Sequence, residues 1–347
     1  MGKNILDFTL KELEEQILEL GEKKFRASQI FLQFHNKNIR NFDELKNIPK
    51  ELAGKLKDSL SLEYLELIDV KNSSLDNTKK FLFQIPSTKD KIESVLISEK
   101  DRNTICVSTQ AGCNAGCEFC ATGKIGFKKN LSAGEILAQI YTVSEKIGEK
   151  PTNIVYMGMG EPFLNWEEVK KSVENLVNPK LFNFGSRSIS ISTVGVEGGI
   201  ERFSAEFPQV NLAISLHFAV NEMRSCHMPA NKAYDLEDIK KDLQDYFRKS
   251  KRKVFIEYIM FKGINDSVYD AEKLAEYLKS IGSSYLLHVN LISYNNPPSG
   301  GFGDFESSPK NKIEIFKNFL LQNKINATIR KSLGSEIAGA CGQLAGK

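Results

Sequence analysis

The chain beyond residue 100 alternates between short apolar segments and amphipathic helical segments, and this alternation constrains the fold most strongly. Apolar segments rich in β-branched residues predict strands, here at Thr104–Ser108, Asn153–Gly158, Ser188–Thr193, Val210–Leu216, Val254–Met260 and Leu286–Ile292. Helical patterns lie between or after them, at Ser132–Ile147, Glu167–Leu176, Leu236–Lys249, Ser267–Ile281 and Lys310–Gln322. Such repeats indicate a parallel sheet covered by helices. We therefore expect an α/β protein with a partial (βα)6 barrel, whose chemistry would lie at the carboxyl ends of the strands.

The first seventy or so residues predict helices. Apolar residues recur at helical spacing in Leu10–Leu20, Phe25–Phe34 and Phe42–Leu60. Residues 79–97 instead predict two short strands around a polar turn. We therefore expect a small helical accessory domain at 1–75, a β extension at 76–100 that carries Glu93, and the α/β core at 101–347.

Overall charge does not predict a partner, because 47 Lys+Arg nearly balance 44 Asp+Glu. One stretch, residues 23–42, contains no acid and interleaves Phe25, Phe31 and Phe34 with basic residues. These basic residues are Lys23, Lys24, Arg26, Lys37 and Arg40. A solvated helical face is the simpler interpretation, and RNA docking follows only if the catalytic part calls for RNA.

The sequence gives no sign of export or of a membrane. No apolar run reaches the roughly 18 residues of a membrane span, and the N-terminus does not resemble a signal peptide. We expect a cytoplasmic protein that does not enter a membrane. In that reducing compartment, cysteines serve metals or chemistry more often than structure.

Three of the six cysteines lie within eight residues and have the spacing C-x3-C-x2-C. Cys113, Cys117 and Cys120 follow the first predicted core strand, and three such thiolates can hold three irons of a cubane while the fourth iron stays open. Structural zinc or an ordinary ferredoxin cluster is the alternative. Zinc sites usually show paired C-x2-C units or added histidines, and none of the four histidines is near this loop. The spacing therefore favours an iron–sulfur cluster with an open iron.

The residues around this loop resemble the RlmN/Cfr family of radical S-adenosylmethionine (SAM) RNA adenine methyltransferases. The resemblance rests on CVSTQAGCNAGCEFCATGKIGFKKNL, MGMGEPFLN, ISISTVGV, ISLH and ACGQLAG, and more weakly on FRASQIFLQFH and FDELKNIPKEL near the N-terminus. It implies a [4Fe–4S] cluster on the three cysteines and two SAM molecules per turnover. It also implies SAM contacts at Gly160, Glu161, Ser192, Ser215, Leu216, His217 and Asn295.

The resemblance further implies how carbon reaches an adenine position that is not a nucleophile. Cys341 would accept a methyl group from one SAM, and a radical made from a second SAM would remove a hydrogen from it. The resulting carbon radical would add to the base, Glu93 would take the base proton, and Cys106 would release the product by forming a disulfide with Cys341. A flavodoxin-type or other one-electron reductant would supply electrons. Cys226 and its neighbour His227 match no functional position of the family.

The motif GMGEP resembles the C2-methylating RlmN branch, whereas SISISTVGV and HVNLISYN are similar to the C8-methylating Cfr branch. The nearest acid before Cys341 is Glu336, further upstream than the family commonly has it. We expect a monomer that methylates C2 of an adenosine in the peptidyl-transferase centre of 23S rRNA and of the adenosine beside the tRNA anticodon. Three alternatives stay open: C8 methylation with antibiotic resistance, a radical SAM enzyme acting on protein or a small molecule, and a redox-sensing iron–sulfur RNA-binding protein without turnover.

Overall fold

The computed structural model describes residues 2–36, 39, 41–296 and 305–346. Its strands are β1 Glu66–Asn72, β2 Thr78–Gln84, β3 Lys91–Glu99, β4 Arg102–Cys106, β5 Gln110–Ala111, β6 Lys129–Asn130, β7 Asn153–Tyr156, β8 Ile189–Thr193, β9 Asn211–Ser215, β10 Val254–Met260, β11 Leu287–Ser293 and β12 Asn326–Arg330. Its α-helices are α1 Leu10–Glu19, α2 Arg26–Asn36, α3 Lys50–Ser59, α4 Ala121–Ile125, α5 Ala133–Ile147, α6 Trp166–Val177, α7 Gly199–Glu206, α8 Asn221–His227, α9 Leu236–Lys249, α10 Val268–Ser280 and α11 Lys310–Gln322.

One sheet organises the described part of the chain, and its strand order is β1-β2-β3-β4-β7-β8-β9-β10-β11-β12. Strands β1 to β4 form antiparallel pairs, and every pair from β4 to β12 is parallel. A helix lies between each strand of the parallel part and the next. The predicted partial α/β barrel is therefore confirmed, with helices covering a parallel sheet.

The parallel part contains one strand more than predicted. Strand β12 pairs with β11 from His288↔Asn326 to Ile292↔Arg330. The sequence of β12, NATIR, holds few apolar residues and only Ala327 is buried, so hydrophobic patterning does not distinguish it from a loop. This strand matters for function because Arg330 at its end reaches the cavity described below.

The N-terminal helices have a hydrophobic core of their own. Leu13 and Ile17 of α1 pack with Ile30, Phe31 and Phe34 of α2 in this cluster, which is separate from the core of the barrel. The structure thus contains the predicted helical region. It differs at the end of the predicted domain 1–75, because β1 lies there and extends the sheet through β2. Most β1 residues are exposed, so β1 lacks the alternating apolar pattern that would have predicted it.

Capping residues fix where several helices begin. Ser132 and Glu135 form a capping box at the start of α5, in which each side chain binds the backbone N–H of the other residue. The same helix start receives the accessory region, because Asp7 accepts a hydrogen bond from the Gly134 N–H at 3.1 Å. Asn175 of α6 donates to the Phe8 carbonyl at 3.0 Å. These contacts hold the N-terminal helices against α5 and α6.

The part of the chain that the structure describes contains no helix with the length and apolar content of a membrane span.

Candidate active site

A cavity at the carboxyl ends of the barrel strands brings five of the six cysteines together. Its wall includes Cys113, Cys117 and Cys120 of one loop, Cys106 at the end of β4, and Cys341 near the C-terminus. The sixth cysteine, at 226, lies on α8, is exposed, and is not among the residues that line this cavity. The cavity lies where the sequence places the chemistry of a barrel of this type.

The loop that carries the three cysteines is held close to a neighbouring turn. Gly112 has a φ of +72°, and a Cβ built there would lie 1.7 Å from the Gly126 carbonyl oxygen. The adjacent strands β5 and β6 pair in antiparallel fashion and fix this approach. Larger side chains would therefore separate the loop from the turn and change the positions of the thiols.

Of the three cysteines in this loop, Cys117 is buried, and Cys113 and Cys120 are partly buried beside it. Burial raises the pKa of Cys113 to about 12, and the nearby Cys120 adds to the increase. Burial also raises the pKa of Cys117. No group of three or more His, Cys, Asp or Glu side chains among the described residues is arranged to hold one metal ion. A cubane instead distributes its cysteine ligands over separate irons, and three cysteines on one cavity wall fit that group.

Phe119 lies between the second and third cysteines and packs under them. Its ring contacts His217 at 5.2 Å and Phe261 at 5.0 Å between centroids. The adjacent Glu118 is tied to α8, since its N–H donates to the His227 carbonyl at 3.0 Å and its carboxylate meets His227 Nδ1 at 2.9 Å. The sequence left His227 without a role, and the structure shows that it anchors the cysteine loop.

Six of the seven residues predicted to contact SAM line the cavity. They are Gly160, Glu161, Ser192, Ser215, His217 and Asn295. The seventh, Leu216, is fully buried and is not a lining residue. Gly160 has a φ of +103°, and a Cβ there would lie 2.6 Å from the Gln110 Cβ, so only glycine fits this position.

Glu161 provides a buried carboxylate on the wall. Its Oε1 accepts from the Phe163 N–H at 3.0 Å and its Oε2 from the Val194 N–H at 2.9 Å. Burial raises the pKa of Glu161, whereas these hydrogen bonds oppose the increase. A carboxylate fixed in this way suits an ammonium group.

His217 presents one defined tautomer to the cavity. Its Nδ1 accepts from the Ile259 N–H at 3.2 Å, so the neutral ring carries its proton on Nε2. Burial lowers the pKa of His217 to about 3, and the charge of Arg224 contributes. The ring is therefore a neutral hydrogen-bond donor at physiological pH.

Arg224 on α8 is a site residue that sequence reasoning missed. It is fully buried, and its Nε donates to the Leu216 carbonyl at 3.1 Å. Its Nη2 donates to the Val194 carbonyl at 2.6 Å and to the Ser215 carbonyl at 3.2 Å, and its Nη1 donates to Asn231 Oδ1 at 2.5 Å. One guanidinium thus joins the ends of β8 and β9, which carry several of the cavity residues.

The two remaining cavity cysteines lie near a cation. Burial raises the pKa of Cys106 to about 12, and Cys341 adds to the increase. Desolvation by the cavity wall raises the pKa of Cys341, although part of the residue is exposed, and the charge of Arg330 opposes the increase. Arg330 is held by Glu257 Oε2 at 3.2 Å. Sequence reasoning missed both partners, although a carboxylate inside the apolar run VFIEYIM was a visible signal for Glu257.

Several hydrogen bonds hold the C-terminal segment, residues 339–346, across the cysteine loop. The Ala121 N–H donates to the Gly342 carbonyl at 2.8 Å, and Thr122 Oγ1 donates to the Leu344 carbonyl at 2.8 Å. Upstream of the segment, the Glu336 carboxylate accepts from the Ser74 N–H at 3.0 Å and so binds the turn between β1 and β2. These contacts place Cys341 beside the three-cysteine loop.

Glu93, the predicted base, lies away from the cavity surface. Its side chain is 1% exposed, and the residue is not among those that line the cavity. Val95 and Ile97, on the same face of β3, do line it. The carboxylate is instead covered by the end of the C-terminal segment, with the Ala345 N–H donating to its Oε2 at 2.7 Å.

Comparison with known proteins agrees with this architecture. The model of the Radical SAM superfamily matches residues 107–278, and the model of the Ribosomal RNA large subunit methyltransferase N-terminal domain matches residues 3–62. A crystal structure of a radical SAM methyltransferase from Sphaerobacter thermophilus has a TM-score of 0.91 and 37% identity, covering 99% of this chain and 100% of that chain. The barrel and its three-cysteine loop therefore define a radical SAM enzyme.

Relatives along the whole length narrow this class. The probable dual-specificity RNA methyltransferase RlmN of Thermotoga sp. (strain RQ2) is 43% identical over 342 residues, covering 99% of this chain and 97% of the relative. The protein of the same name from Bacillus licheniformis is 42% identical over 347 residues, covering 99% and 94%. The chain belongs to the RlmN family of radical SAM RNA methyltransferases. Membership implies a [4Fe–4S] cluster and SAM.

Proposed function

We propose that the protein methylates C2 of adenosine in structured RNA by way of a methyl group carried on Cys341. The observation that carries the proposal is one cavity that holds both a three-cysteine loop and the separate pair Cys106 and Cys341. A radical SAM enzyme that only generated a radical would need the loop alone. The pair adds a methyl carrier and a thiol to release it.

The three cysteines, Cys113, Cys117 and Cys120, would hold the cluster. When bound, the cluster supplies the electron that cleaves SAM into methionine and a carbon radical. Of the predicted SAM contacts, Glu161 offers a carboxylate to the amino group and His217 offers its Nε2–H as a donor.

Cys341 acts twice in the proposed reaction. Its thiolate attacks the methyl carbon of a first SAM, so an S–C bond forms and S-adenosylhomocysteine leaves. Arg330 favours this step because its charge offsets part of the increase in the pKa of Cys341. After a hydrogen atom is removed with the help of a second SAM, the S–CH2 carbon adds to C2 of the base.

Release needs a base and a second thiol. The radical adduct gives up one electron, which the oxidised cluster would accept, and the C2 proton passes to Glu93. The Cys106 thiolate then attacks the Cys341 sulfur, so the S–S bond forms, the S–CH2 bond breaks, and the carbon takes up a proton to become the methyl group. An external dithiol reduces the disulfide, and a flavodoxin-type or other one-electron donor supplies the radical step.

The choice of C2 and of the RNA rests on relatives and motifs. The relatives named RlmN support the C2 branch, as does the sequence Gly160-Glu161-Pro162. These relatives are named dual-specificity RNA methyltransferases, which supports an adenosine of 23S rRNA together with the anticodon-adjacent adenosine of tRNA as substrates. We propose that a cytoplasmic monomer acts on them, with residues 1–75, 76–100 and 101–347 as docking domain, β extension and catalytic core.

The basic N-terminal stretch supports RNA docking only in part. Phe25 is exposed and Arg26 lies 4.9 Å over its ring, which is a surface suited to bases and phosphates. Phe31 and Phe34 are instead buried in the helical core. Lys24 pairs with Glu14 at 3.0 Å. Of the other basic residues predicted there, Lys37 and Arg40 lie outside the described residues.

Anaerobic turnover tests the proposal. Reconstituted protein is incubated with SAM, reductant, and either 23S rRNA fragments or tRNA, and the nucleosides are identified by mass spectrometry. C2-methyladenosine is expected from the wild-type protein and none from the Cys341→Ala variant. The Cys226→Ala variant, which changes the exposed cysteine outside the cavity, serves as the matched control and should retain activity. C8-methyladenosine would refute the C2 assignment. RNA that stays unmethylated while SAM is cleaved would refute RNA as the substrate.

A further inference from the structure

The carboxylate of Glu93 is enclosed by donors from two different parts of the chain. Its Oε1 lies 2.9 Å from Lys80 Nζ, and both side chains are almost completely buried. Its Oε2 accepts hydrogen bonds from the Ala345 N–H at 2.7 Å and the Gly346 N–H at 3.1 Å. Oε2 therefore has two hydrogen-bond donors, whereas Oε1 has the ion pair with Lys80 and no hydrogen bond from the described residues. A proton from RNA has no open approach to either oxygen.

Lys80 reaches Glu93 across the sheet. Strands β2 and β3 are antiparallel neighbours, and Lys80 is paired with Val95, two residues along β3 from Glu93. Such a diagonal neighbour lies within reach of a long side chain. Buried ion pairs add little net stability, because removing two charges from water costs about as much as their attraction returns. Holding the carboxylate in one place is a better reason for burying Lys80 here.

The two N–H groups on Glu93 lie four and five residues after the catalytic cysteine. They belong to the C-terminal segment, which also carries Cys341 and is pinned through the Gly342 and Leu344 carbonyls. At Gly346 the backbone of this segment packs tightly against the start of β3. Gly346 has a φ of +64°, and a Cβ there would lie 2.7 Å from the Lys91 carbonyl oxygen. Exposing Glu93 therefore requires at least this end of the segment with Cys341 to shift.

We infer that Lys80 is a positioning residue for Glu93, and that Ala345 and Gly346 cover the same carboxylate until the segment bearing Cys341 moves. The inference rests on the proposed role of Glu93 as base. When the segment shifts, the Oε2 that it covered takes the C2 proton, while Lys80 keeps Oε1 in place. The proton leaves to solvent before the segment closes again. Adduct formation on Cys341 and the availability of the base thus become one linked event.

Hydrogen–deuterium exchange of the cluster-loaded protein tests whether Ala345 and Gly346 cover the Glu93 carboxylate. In the Glu93→Gln variant the single amide oxygen can face either Lys80 or the two N–H groups. The charge of Lys80 attracts that oxygen, so the Ala345 and Gly346 amides lose their acceptor and should exchange about 10- to 100-fold faster than in the wild type. The matched control is Glu99→Gln, a change at the exposed end of the same strand, which should leave their exchange unchanged. Equal exchange of these two amides in all three proteins would overturn the inference that they cover Glu93.

Turnover separates the role of Lys80 from that of the base. Lys80→Met should form S-methylcysteine at position 341 at the wild-type rate but release methylated RNA about tenfold more slowly, and Lys80→Arg should restore most of that rate. Wild-type release by Lys80→Met would overturn the positioning role. The amides of Glu93→Gln could exchange faster while the variant methylates RNA normally. Ala345 and Gly346 would then cover Glu93, but Glu93 would not be the base. Failure of this inference and failure of the proposed function are therefore distinguishable.

Discussion

Replacing Arg224 by methionine should destabilise the protein strongly, because this one side chain makes four hydrogen bonds, two of them buried and two partly buried. Three of the acceptors are the carbonyls of Val194, Ser215 and Leu216, and the fourth is Asn231 Oδ1. Each acceptor left without a donor costs about 1–3 kcal/mol. The variant also avoids the cost of burying a charged guanidinium, which offsets part of this sum. The expected loss in the free energy of unfolding is about 3–5 kcal/mol.

Urea unfolding under anaerobic conditions measures this loss, with the helical circular dichroism signal as the readout. Arg187→Met is the matched control, since the Arg187 side chain is exposed and donates to the Gln209 side chain, and it should cost less than about 1 kcal/mol. Arg224→Lys keeps the charge but not the fork of donors, so its loss should lie between the two. The reasoning is refuted if Arg224→Met and Arg187→Met unfold at the same urea concentration.

Three further predictions concern pH, backbone space and thiol reactivity. Burial lowers the pKa of His35 in the folded protein to about 3. The stability that the neutral ring contributes is therefore complete above the pKa of the unfolded chain, near 6.5, and is lost as pH falls below it. Between pH 7.5 and 5.5, the free energy of unfolding measured in urea should therefore fall by about 1.4 kcal/mol less in His35→Phe than in the wild type. An equal fall in both proteins would contradict this. Gly160→Ala should weaken SAM binding, measured by calorimetry, at least about tenfold. The control Gly148→Ala, at a φ of +73° with open space around it, should bind SAM normally. Equal affinities of the two variants for SAM would contradict the prediction. Arg330→Met should slow iodoacetamide alkylation of Cys341 about three- to tenfold at pH 8, because the lost charge lowers the thiolate fraction, and an unchanged rate would count against that role.

Local sequence signals sufficed where an element is strongly patterned. Helix α9 and strand β10 were predicted with the bounds that the structure shows, Leu236–Lys249 and Val254–Met260. The first has a capping box from Asp235 and a clear apolar face, and the second is an almost uninterrupted apolar run. Strands β1 and β12 lack such patterns, because tertiary pairing rather than burial defines them.

The same distinction applies to the site. Cys113, Cys117 and Cys120 are close in sequence, so their spacing alone indicated a shared cluster. Arg224 stands in a polar segment, RSCHMPAN, in which nothing marks an arginine that is fully buried. The cover over Glu93 was also unpredictable, because it joins residues 252 positions apart in the chain.

The most direct test of the account is to trap the methylene bridge between Cys341 and RNA. The Cys106→Ala variant of the cluster-loaded protein is incubated anaerobically with SAM, reductant and RNA, then digested with nuclease and protease for mass spectrometry. The account predicts that the peptide with Cys341 carries adenosine through one methylene carbon, and that the Cys226→Ala variant accumulates no such peptide. Free methyladenosine from Cys106→Ala at the wild-type rate, with an unmodified Cys341 peptide, would contradict it.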